Sequence, residues 1–172
     1  MMRTFFPDRH APSVYDIPYD ELKSKGYINI LFDIDNTLER VSVPTPGRAL
    51  VSFFNGLTEA GFSVCLLSNG RRRRVSTFAA ALDVPYVCKA SKPLFHGANK
   101  ALALLGADKA SSVIIGDQIF TDVLCGRLNK IYTVLVRPLS NEEEWFVKLK
   151  RLIEKPVLRE YFKRNGSGNG NA

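Results

Sequence analysis

Short apolar runs rich in β-branched residues alternate with longer segments of helical periodicity over residues 27–137. A short run of this kind favours a strand, whereas apolar residues spaced three and four apart favour a helix. Strands that alternate with helices are typical of a parallel sheet covered by helices on both faces. We therefore predict a doubly wound α/β domain with a five-stranded parallel sheet. The predicted strands are 27–33, 62–68, 85–88, 112–116 and 131–136, and the predicted helices lie near 46–60, 72–82, 93–105 and 119–128.

The two ends of the chain differ from this central pattern. Residues 1–26 form a lead-in segment, and we place the folded domain at residues 27–164. Ser140-Asn141-Glu142-Glu143 is typical of a capping box, so we predict a helix from this point to about residue 154 and a shorter helix after Pro156. Residues 165–172 are rich in Gly and Asn and have little to bury, so we predict that this tail is disordered.

Composition limits the classes of protein to which the chain can belong. The formal net charge of +7 favours an anionic partner such as a phosphate group, a nucleic acid or a lipid surface. Three widely separated cysteines without a C-x-x-C pair argue against a disulfide framework. The sequence has no signal-peptide core and no stretch near the roughly 20 apolar residues that cross a bilayer. We expect a cytoplasmic protein, either soluble or bound peripherally to the inner face of the membrane.

Two carboxylates two residues apart, Asp33 and Asp35, follow the first predicted strand. Both can point into one small pocket, where like charges raise one another's pKa unless a cation intervenes. A hard divalent ion is the usual remedy, and with Mg²⁺ present one Asp can act as a nucleophile while the other carries a proton. This division of roles suits phosphoryl transfer. The alternative is turn chemistry, because Asp, Asn and Thr in residues 33–37 can also bond to nearby backbone groups.

Polar side chains follow the other predicted strands, whose carboxyl ends meet at one edge of a parallel sheet. Ser68 and Asn69 can hold a phosphate oxygen or simply cap a helix. Lys92 can neutralise nearby carboxylates or be a solvated lysine. Asp117 stands where a metal ligand or a helix cap would be, and Asp122 follows about one helical turn later as an anchor. Each strand end supplies a chemical type that a shared site still lacks, which favours the functional interpretation.

These residues together resemble the four motifs of the haloacid dehalogenase (HAD) superfamily of phosphotransferases. The matching segments are Asp-x-Asp-x-Thr at 33–37, Ser68, Lys92, and Gly-Asp with a later Asp at 116–122. The resemblance covers roughly residues 27–137. Within the superfamily, the motifs look like those of the capless IIIA group, specifically the bacterial YqeG-like proteins, which are similar to the mitochondrial phosphatidylglycerophosphate phosphatases. Segments 13–17 and 22–26 also look like the lead-in of that family.

The resemblance implies a reaction and a role for each matching residue. Asp33 would attack phosphorus and form an aspartyl-phosphate. Asp35 would protonate the leaving alcohol and then activate water. Lys92 would assist catalysis and, with Ser68 and Asn69, bind the phosphate. These roles are reasonable because charge that accumulates on phosphoryl oxygens needs preorganised cations and donors.

The resemblance also implies a Mg²⁺ ion held by Asp33, the backbone carbonyl of Asp35 and Asp117, with Asp122 supporting the site from behind. Asp35 bears on the reaction class, because dehalogenases of the superfamily lack this second Asp. Expelling a halide needs no general acid, so Asp35 favours hydrolysis of a phosphate ester.

Two features narrow the substrate. The intervals 33–68 and 68–92, where superfamily cap domains insert, are each already used by a helix and a strand. A site without a cap admits a bulky head group, a macromolecule or a membrane-borne phosphate more easily than it encloses a small metabolite. Arginines at 71–74 oppose the dipole of the helix that they begin, and such breaches of local rules tend to mark function. Arg71 and Arg72 are therefore candidate substrate contacts, and the alternative is a solvated basic turn.

We predict, from the family resemblance, hydrolysis of phosphatidylglycerophosphate to phosphatidylglycerol, so that the partner is an anionic lipid head group. A basic face on the C-terminal helix, with Lys155, Arg159 and Lys163, is compatible with peripheral membrane contact or with an ordinary amphipathic helix. One alternative is a phosphatase for soluble phosphoesters, nucleotides or phosphoprotein. Another is a non-catalytic RNA- or ribosome-associated module, although we expect no nucleic acid partner because no RNA-reading motif is present. The sequence leaves the oligomeric state open.

Overall fold

A six-stranded sheet, parallel throughout, forms the centre of the computed structural model, which describes residues 2–140 and 145–164. The sheet therefore has one strand more than the five predicted, and the additional strand lies in the lead-in segment. The strand order is β1-β6-β5-β2-β3-β4. The strands are β1 Arg9–Ala11, β2 Asn29–Phe32, β3 Ser63–Leu67, β4 Tyr86–Val87, β5 Ser112–Gly116 and β6 Tyr132–Val136.

The edge strand β1 is held by contacts at Asp8, the residue before it. The Asp8 carboxylate accepts bonds from the backbone N–H of Thr133 at 2.9 Å and from its hydroxyl at 2.8 Å, and it pairs with Arg127 at 2.8 Å. A three-residue strand with sequence Arg-His-Ala carries no apolar alternation, so periodicity could not reveal it. The lead-in segment thus contributes directly to the sheet.

Helices cover both faces of the sheet, as the hydrophobic pattern predicts. Ile30 and Phe32 of β2 pack with the apolar sides of α2 and α3, while Leu31 faces the opposite way and packs with α4. This alternation follows from the two-residue period of a strand. The helices are α1 Tyr19–Ser24, α2 Arg48–Glu59, α3 Arg72–Leu82, α4 Phe95–Leu105, α5 Leu124–Asn129 and α6 Trp145–Arg164, with 3₁₀ turns at Met2–Phe5 and Val14–Asp16 and a π-helical turn at Ile119–Val123.

The C-terminal helix α6 runs without interruption through Pro156, so the prediction of two separate helices was wrong. A proline inside a helix removes one backbone hydrogen bond and costs about 3 kcal/mol. Packing around the proline offsets this cost: Glu154 is buried, Val157 packs against the apolar cluster formed by β6 and the π-helical turn, and the ring of Tyr161 lies 5.7 Å from that of Phe6. Residues 141–143 of the predicted capping box and the tail 165–172 lie outside the described residues.

The topology leaves β2 between β3 and β5, with the chain returning from β4 to β5 across the sheet. In open parallel sheets a ligand crevice forms at such a point, outside the carboxyl ends of the strands. The intervals 33–68 and 68–92 hold α2 with β3 and α3 with β4, and neither contains a folded cap. Within the described residues, no helix combines the length and the apolar character needed to span a membrane.

Candidate active site

The loop after β2 directs its side chains toward the crevice. The Asp33 N–H donates to the Ile115 carbonyl at 2.9 Å, which extends the pairing of β2 with β5 by one residue. Asn36 has φ of 63°, a left-handed conformation that Asn tolerates better than most residues. The loop then brings the Thr37 hydroxyl within 3.0 Å of Asp117 Oδ1, to which it donates, and both side chains are buried. The segment 33–37 therefore forms a turn and also brings a side chain into contact with another predicted site residue, Asp117.

A buried lysine joins two of the predicted site carboxylates. The Lys92 ammonium donates to Asp33 Oδ1 and to Asp122 Oδ1, each at 2.6 Å, and its side chain is only 3% exposed. The backbone of Lys92 is fixed by Asn69, whose Oδ1 accepts from the Lys92 N–H at 2.8 Å and whose Nδ2 donates to the Lys92 carbonyl at 3.1 Å. The amide of Asn69 thus holds the lysine loop, and a direct contact between Asn69 and phosphate stays a prediction.

Charge crowding shapes the acid–base properties of this cluster. Burial, together with the charges of Asp122 and Asp117, raises the pKa of Asp33 above the ordinary range, although Lys92 opposes the shift. Burial alone would lower the pKa of Lys92, but the charges and hydrogen bonds of Asp122 and Asp33 raise it above its ordinary value. Lys92 therefore remains an ammonium that pairs with two carboxylates, those of Asp33 and Asp122.

The same carboxylates form a set that could hold a metal ion. Oxygen atoms of Asp33, Asp117 and Asp122 lie within 4.8 Å of one another, and all three residues are buried. An all-oxygen, anionic set suits a hard divalent cation such as Mg²⁺. The cluster contains the side chain of Asp122 and not that of Asp35. Asp35 is expected to contribute its backbone carbonyl to the metal site, and this contribution stays a prediction.

Both carboxylate oxygens of Asp122 are engaged in hydrogen bonds. Its Oδ1 accepts from Lys92 and its Oδ2 accepts from the N–H of Gln118 at 3.1 Å. This geometry explains the glycine at the end of β5, because a Cβ on Gly116 would lie 2.3 Å from Asp122 Cγ. With both oxygens already accepting hydrogen bonds, Asp122 is better suited to anchoring Lys92 than to binding a metal directly.

Asp35 lies at the more open side of the crevice, with 29% of its side chain exposed against 8% for Asp33. Its Oδ1 accepts from Arg74 Nε at 2.7 Å. Arg74 also donates to the backbone carbonyls of Val43 at 2.6 Å and Arg40 at 3.2 Å. A single arginine of α3 therefore positions both Asp35 and the loop that follows it. Sequence analysis missed this residue, and its only signal was its place in the run of four arginines.

Ser68 and Asp35 flank the same narrow space beside Gly70. The Gly70 N–H donates to Ser68 Oγ at 3.0 Å, and a Cβ on Gly70 would lie 3.1 Å from Ser68 Oγ and 3.4 Å from Asp35 Oδ2. The predicted rim residues Arg71 and Arg72 are exposed where α3 begins. The structure thus brings the proposed catalytic, phosphate-binding and metal-binding side chains to one edge of the sheet.

Glu154 of α6 is a further residue that sequence analysis missed. Its Oε1 accepts from the backbone N–H groups of Ile119 at 2.8 Å and Phe120 at 3.2 Å. These donors begin the π-helical turn that carries Asp122, so the C-terminal helix supports the site from outside the motifs. No local signal could have revealed it, because an acidic residue in a helix with many charged residues is unremarkable.

Comparisons with known proteins identify the fold and the family of the chain. Residues 86–150 match the model of a family described as HAD-hydrolase-like. The cobalt-bound deoxy-D-mannose-octulosonate 8-phosphate phosphatase from Haemophilus influenzae has a similar fold, with a TM-score of 0.53 at 13% identity over 86% of this chain and 96% of that one. The chloroplastic phosphatidylglycerophosphate phosphatase 1 of Chlamydomonas reinhardtii is 28% identical over 158 residues, which cover 86% of this chain but only 59% of that protein.

A nearer match extends along almost the whole chain. The probable phosphatase YqeG of Bacillus subtilis is 34% identical over 159 residues, which cover 92% of each protein. The site described above also contains the acidic, lysine and serine residues of the four motifs, held at the carboxyl ends of their strands. The chain therefore belongs to the YqeG-like family of HAD-superfamily phosphatases.

Proposed function

We propose that this phosphatase hydrolyses the terminal phosphomonoester of phosphatidylglycerophosphate through an aspartyl-phosphate on Asp33. The observation that carries the chemistry is the buried Lys92 ammonium, 2.6 Å from both Asp33 and Asp122. This contact fixes one oxygen of Asp33 and leaves the other to attack phosphorus. A preassembled site of this kind stabilises a charged transition state without reorganising when the reaction occurs.

The first half of the reaction uses Asp33 and Asp35 in complementary roles. A bond forms between phosphorus and a carboxylate oxygen of Asp33 while the bond from phosphorus to the ester oxygen breaks. Asp35, in its protonated form, gives a proton to the departing alcohol. Its Oδ2 is suited to this transfer, because Arg74 binds Oδ1 while Oδ2 faces the space beside Gly70.

The second half of the reaction regenerates the enzyme. Asp35 takes a proton from water, whose oxygen attacks phosphorus and breaks the bond to Asp33, releasing inorganic phosphate. Throughout, the Ser68 hydroxyl and the Lys92 ammonium donate to oxygens of the transferring phosphoryl group. Asn69 contributes by holding the backbone of Lys92.

A divalent cation, which we propose to be Mg²⁺, would be held by Asp33, the backbone carbonyl of Asp35 and Asp117. When bound, such an ion offsets the carboxylate charges and stabilises negative charge on the phosphoryl oxygens. Thr37 orients Asp117 through its hydroxyl, and Asp122 supports the site through Lys92. These four side chains are all buried, which keeps the ligands in place.

Three observations support a lipid substrate. A relative that is 28% identical is a phosphatidylglycerophosphate phosphatase by name. The crevice has no folded cap. Exposed apolar side chains lie on the loops around it, at Val41, Leu94 and Leu139, and at Phe95, the first residue of α4. Apolar side chains together with exposed arginines suit contact with an anionic membrane, so we propose that the site faces the membrane surface.

The test is phosphate release from phosphatidylglycerophosphate in mixed micelles, with Mg²⁺ and with EDTA, against a panel of soluble phosphoesters. We expect selective, metal-dependent release by the wild type, none by Asp33→Asn, and unchanged release by Asp20→Asn, which removes an exposed acid far from the motifs. Turnover of soluble esters alone would move the substrate to that class. Absence of any turnover would instead support the non-catalytic interpretation.

A further inference from the structure

A groove of about 400 Å³ lies beside the active site, between the loop after β2 and helix α3. Pro44 and Thr77 form part of its wall, and the remaining lining residues are Arg71, Arg73 and Arg74. Arg72, which the sequence suggested as a substrate contact, is not among the lining residues. Among the described residues, the lining of the groove therefore includes three arginines and no acidic residue.

The arginines of the groove differ in what they already bind. Arg74 is engaged with Asp35 and with two backbone carbonyls. The exposed side chains of Arg71 and Arg73 make no hydrogen bond or ion pair with any residue that the structure describes. Arg9, in contrast, pairs with Glu21 at 2.7 Å. Two guanidinium groups that have no partner in the described part of the chain, together in one concave site, give a local positive potential that favours an anion.

The position of Arg74 relates the groove to the reaction. Arg74 lines the groove and also donates to Asp35 Oδ1 at 2.7 Å. In the proposed mechanism Asp35 protonates the leaving alcohol, so the alcohol part of the substrate must lie next to Asp35. A leaving group that extends past Asp35 then reaches the side of the crevice that Arg74 and the groove occupy.

We propose that this groove binds a second phosphate group, carried by the leaving alcohol of the substrate. Guanidinium groups match the oxygens of a phosphate in a planar, two-point geometry, which distinguishes such a site from a general positive surface. This inference rests on the proposed function and adds the residues that would recognise the alcohol part of the substrate through its own phosphate. That second phosphate can be the phosphodiester of a lipid head group or a phosphate of a soluble molecule.

Three substrates separate phosphate recognition from lipid recognition. Phosphatidylglycerophosphate in mixed micelles carries both phosphates and the acyl chains, its deacylated head group carries both phosphates alone, and glycerol 3-phosphate carries only the scissile phosphate. We expect Arg71→Gln and Arg73→Gln each to lower kcat/KM about tenfold for the two substrates with a second phosphate. For glycerol 3-phosphate, both variants should stay within about twofold of the wild type.

Arg48→Gln is the matched control, because it removes the same charge from an exposed arginine that begins helix α2 and does not line the groove. It should leave kcat/KM for every substrate within about twofold. If kcat/KM fell equally in all three variants, or equally for all three substrates, the cause would be a diffuse charge effect. Either result would overturn the proposal that the groove binds a second phosphate. A loss confined to the micellar substrate would also overturn it, since attraction to the lipid surface would then be the cause.

A binding measurement makes the groove testable apart from turnover. Asp33→Asn should bind glycerophosphoglycerol, which carries only the phosphodiester, in a calorimetric titration, and adding Arg71→Gln or Arg73→Gln should weaken this binding about tenfold. If Asp33→Asn binds glycerophosphoglycerol in this way but the wild type does not hydrolyse phosphatidylglycerophosphate, the proposed function is overturned and the proposal that the groove binds a phosphate is retained. Turnover that is independent of Arg71 and Arg73 would overturn the groove alone.

Discussion

At the residue scale, Gly116 passes so close to Asp122 that even a methyl group would collide with the carboxylate, 2.3 Å from Cγ. Gly116→Ala should therefore displace Asp122 and loosen Lys92. We expect kcat to fall about a hundredfold, as misplaced catalytic groups commonly cause, and the free energy of unfolding to fall by about 1–3 kcal/mol. Steady-state phosphatase assays and urea unfolding measure the two effects.

Gly56→Ala in α2 is the control for this substitution, because a Cβ at Gly56 meets nothing within 4 Å. Alanine favours a helix interior over glycine by roughly 0.5–1 kcal/mol, so this variant should be slightly more stable and fully active. Normal activity in Gly116→Ala would contradict the anchoring role assigned to Asp122.

The cysteines give a second prediction at the residue scale. Burial raises the pKa of Cys65 to about 12 and that of Cys125 to about 11, whereas Cys88 is only half-buried. The thiolate is the reactive form, so a raised pKa leaves roughly a thousandth or less of either buried thiol reactive at pH 8. In the folded protein, Ellman's reagent should modify Cys88 quickly and the other two slowly.

Each rise of one pH unit between 7 and 9 should increase the slow rates about tenfold, because the pKa of both buried thiols lies above this range. Cys88→Ser should remove the fast phase and leave the slow phases in place. A fast phase that survives this substitution would show that a buried thiol is accessible in the folded protein.

At the scale of elements, α6 supports the π-helical turn through Glu154. Glu154→Ala leaves the buried N–H of Ile119 and the partly buried N–H of Phe120 without this acceptor. We expect the free energy of unfolding to fall by about 2–3 kcal/mol, and kcat to fall as well because the turn carries Asp122. Glu154→Gln keeps an acceptor oxygen and should lose less. Denaturant unfolding and phosphatase assays provide the measurements.

Glu160→Gln, which affects only an exposed pair with Arg164 on the same helix, should leave stability and activity almost unchanged. If Glu154→Ala were equally mild, α6 would be a passive cover and not a support of the site.

The elements also show what sequence alone can predict. Strands with several apolar residues, such as β5 at 112–116, were predicted to within two residues at each end because burial requires their composition. Strand β1 was missed because its stability comes from Asp8 and Thr133, which are 125 residues apart. The prediction of a break at Pro156 was wrong because packing on both sides of the proline outweighs local propensity.

The candidate active site, like the fold, could be predicted from the sequence only in part. The types and order of Asp33, Ser68, Lys92, Asp117 and Asp122 can be read from the sequence because each lies in the segment that follows a strand. Which of these side chains bond to one another is set by the tertiary structure, so their pairings cannot be read from the sequence. The bond from Arg74 to Asp35 joins residues 39 apart, and that from Thr37 to Asp117 joins residues 80 apart.

At the scale of the whole molecule, metal binding should be coupled to stability. Asp33, Asp117 and Asp122 lie close together and Lys92 pairs with only two of them, so a divalent cation relieves repulsion that is present only in the folded state. At a concentration of 100 times Kd, Mg²⁺ should add about 2.7 kcal/mol of stability, or a rise in Tm of roughly 5–10 °C. Thermal unfolding with Mg²⁺ and with EDTA measures the shift.

This shift in Tm should grow between pH 6 and pH 8. The raised pKa of Asp33 means that a proton competes with the metal at low pH, and this competition weakens as the pH rises. Asp117→Asn should abolish most of the shift, whereas Asp20→Asn should retain it. An undiminished shift in Asp117→Asn would place the metal elsewhere.

The pairing of β1 with β6 also sets the order of events during synthesis. Asp8 bonds to Thr133 across 125 residues, and every residue of β1 lies beside a residue of β6. At about 5–20 residues per second, a ribosome needs roughly 6–25 s to make the intervening chain. Strand β1 is thus made before its neighbour in the sheet, and it remains without this partner until residue 136 has emerged.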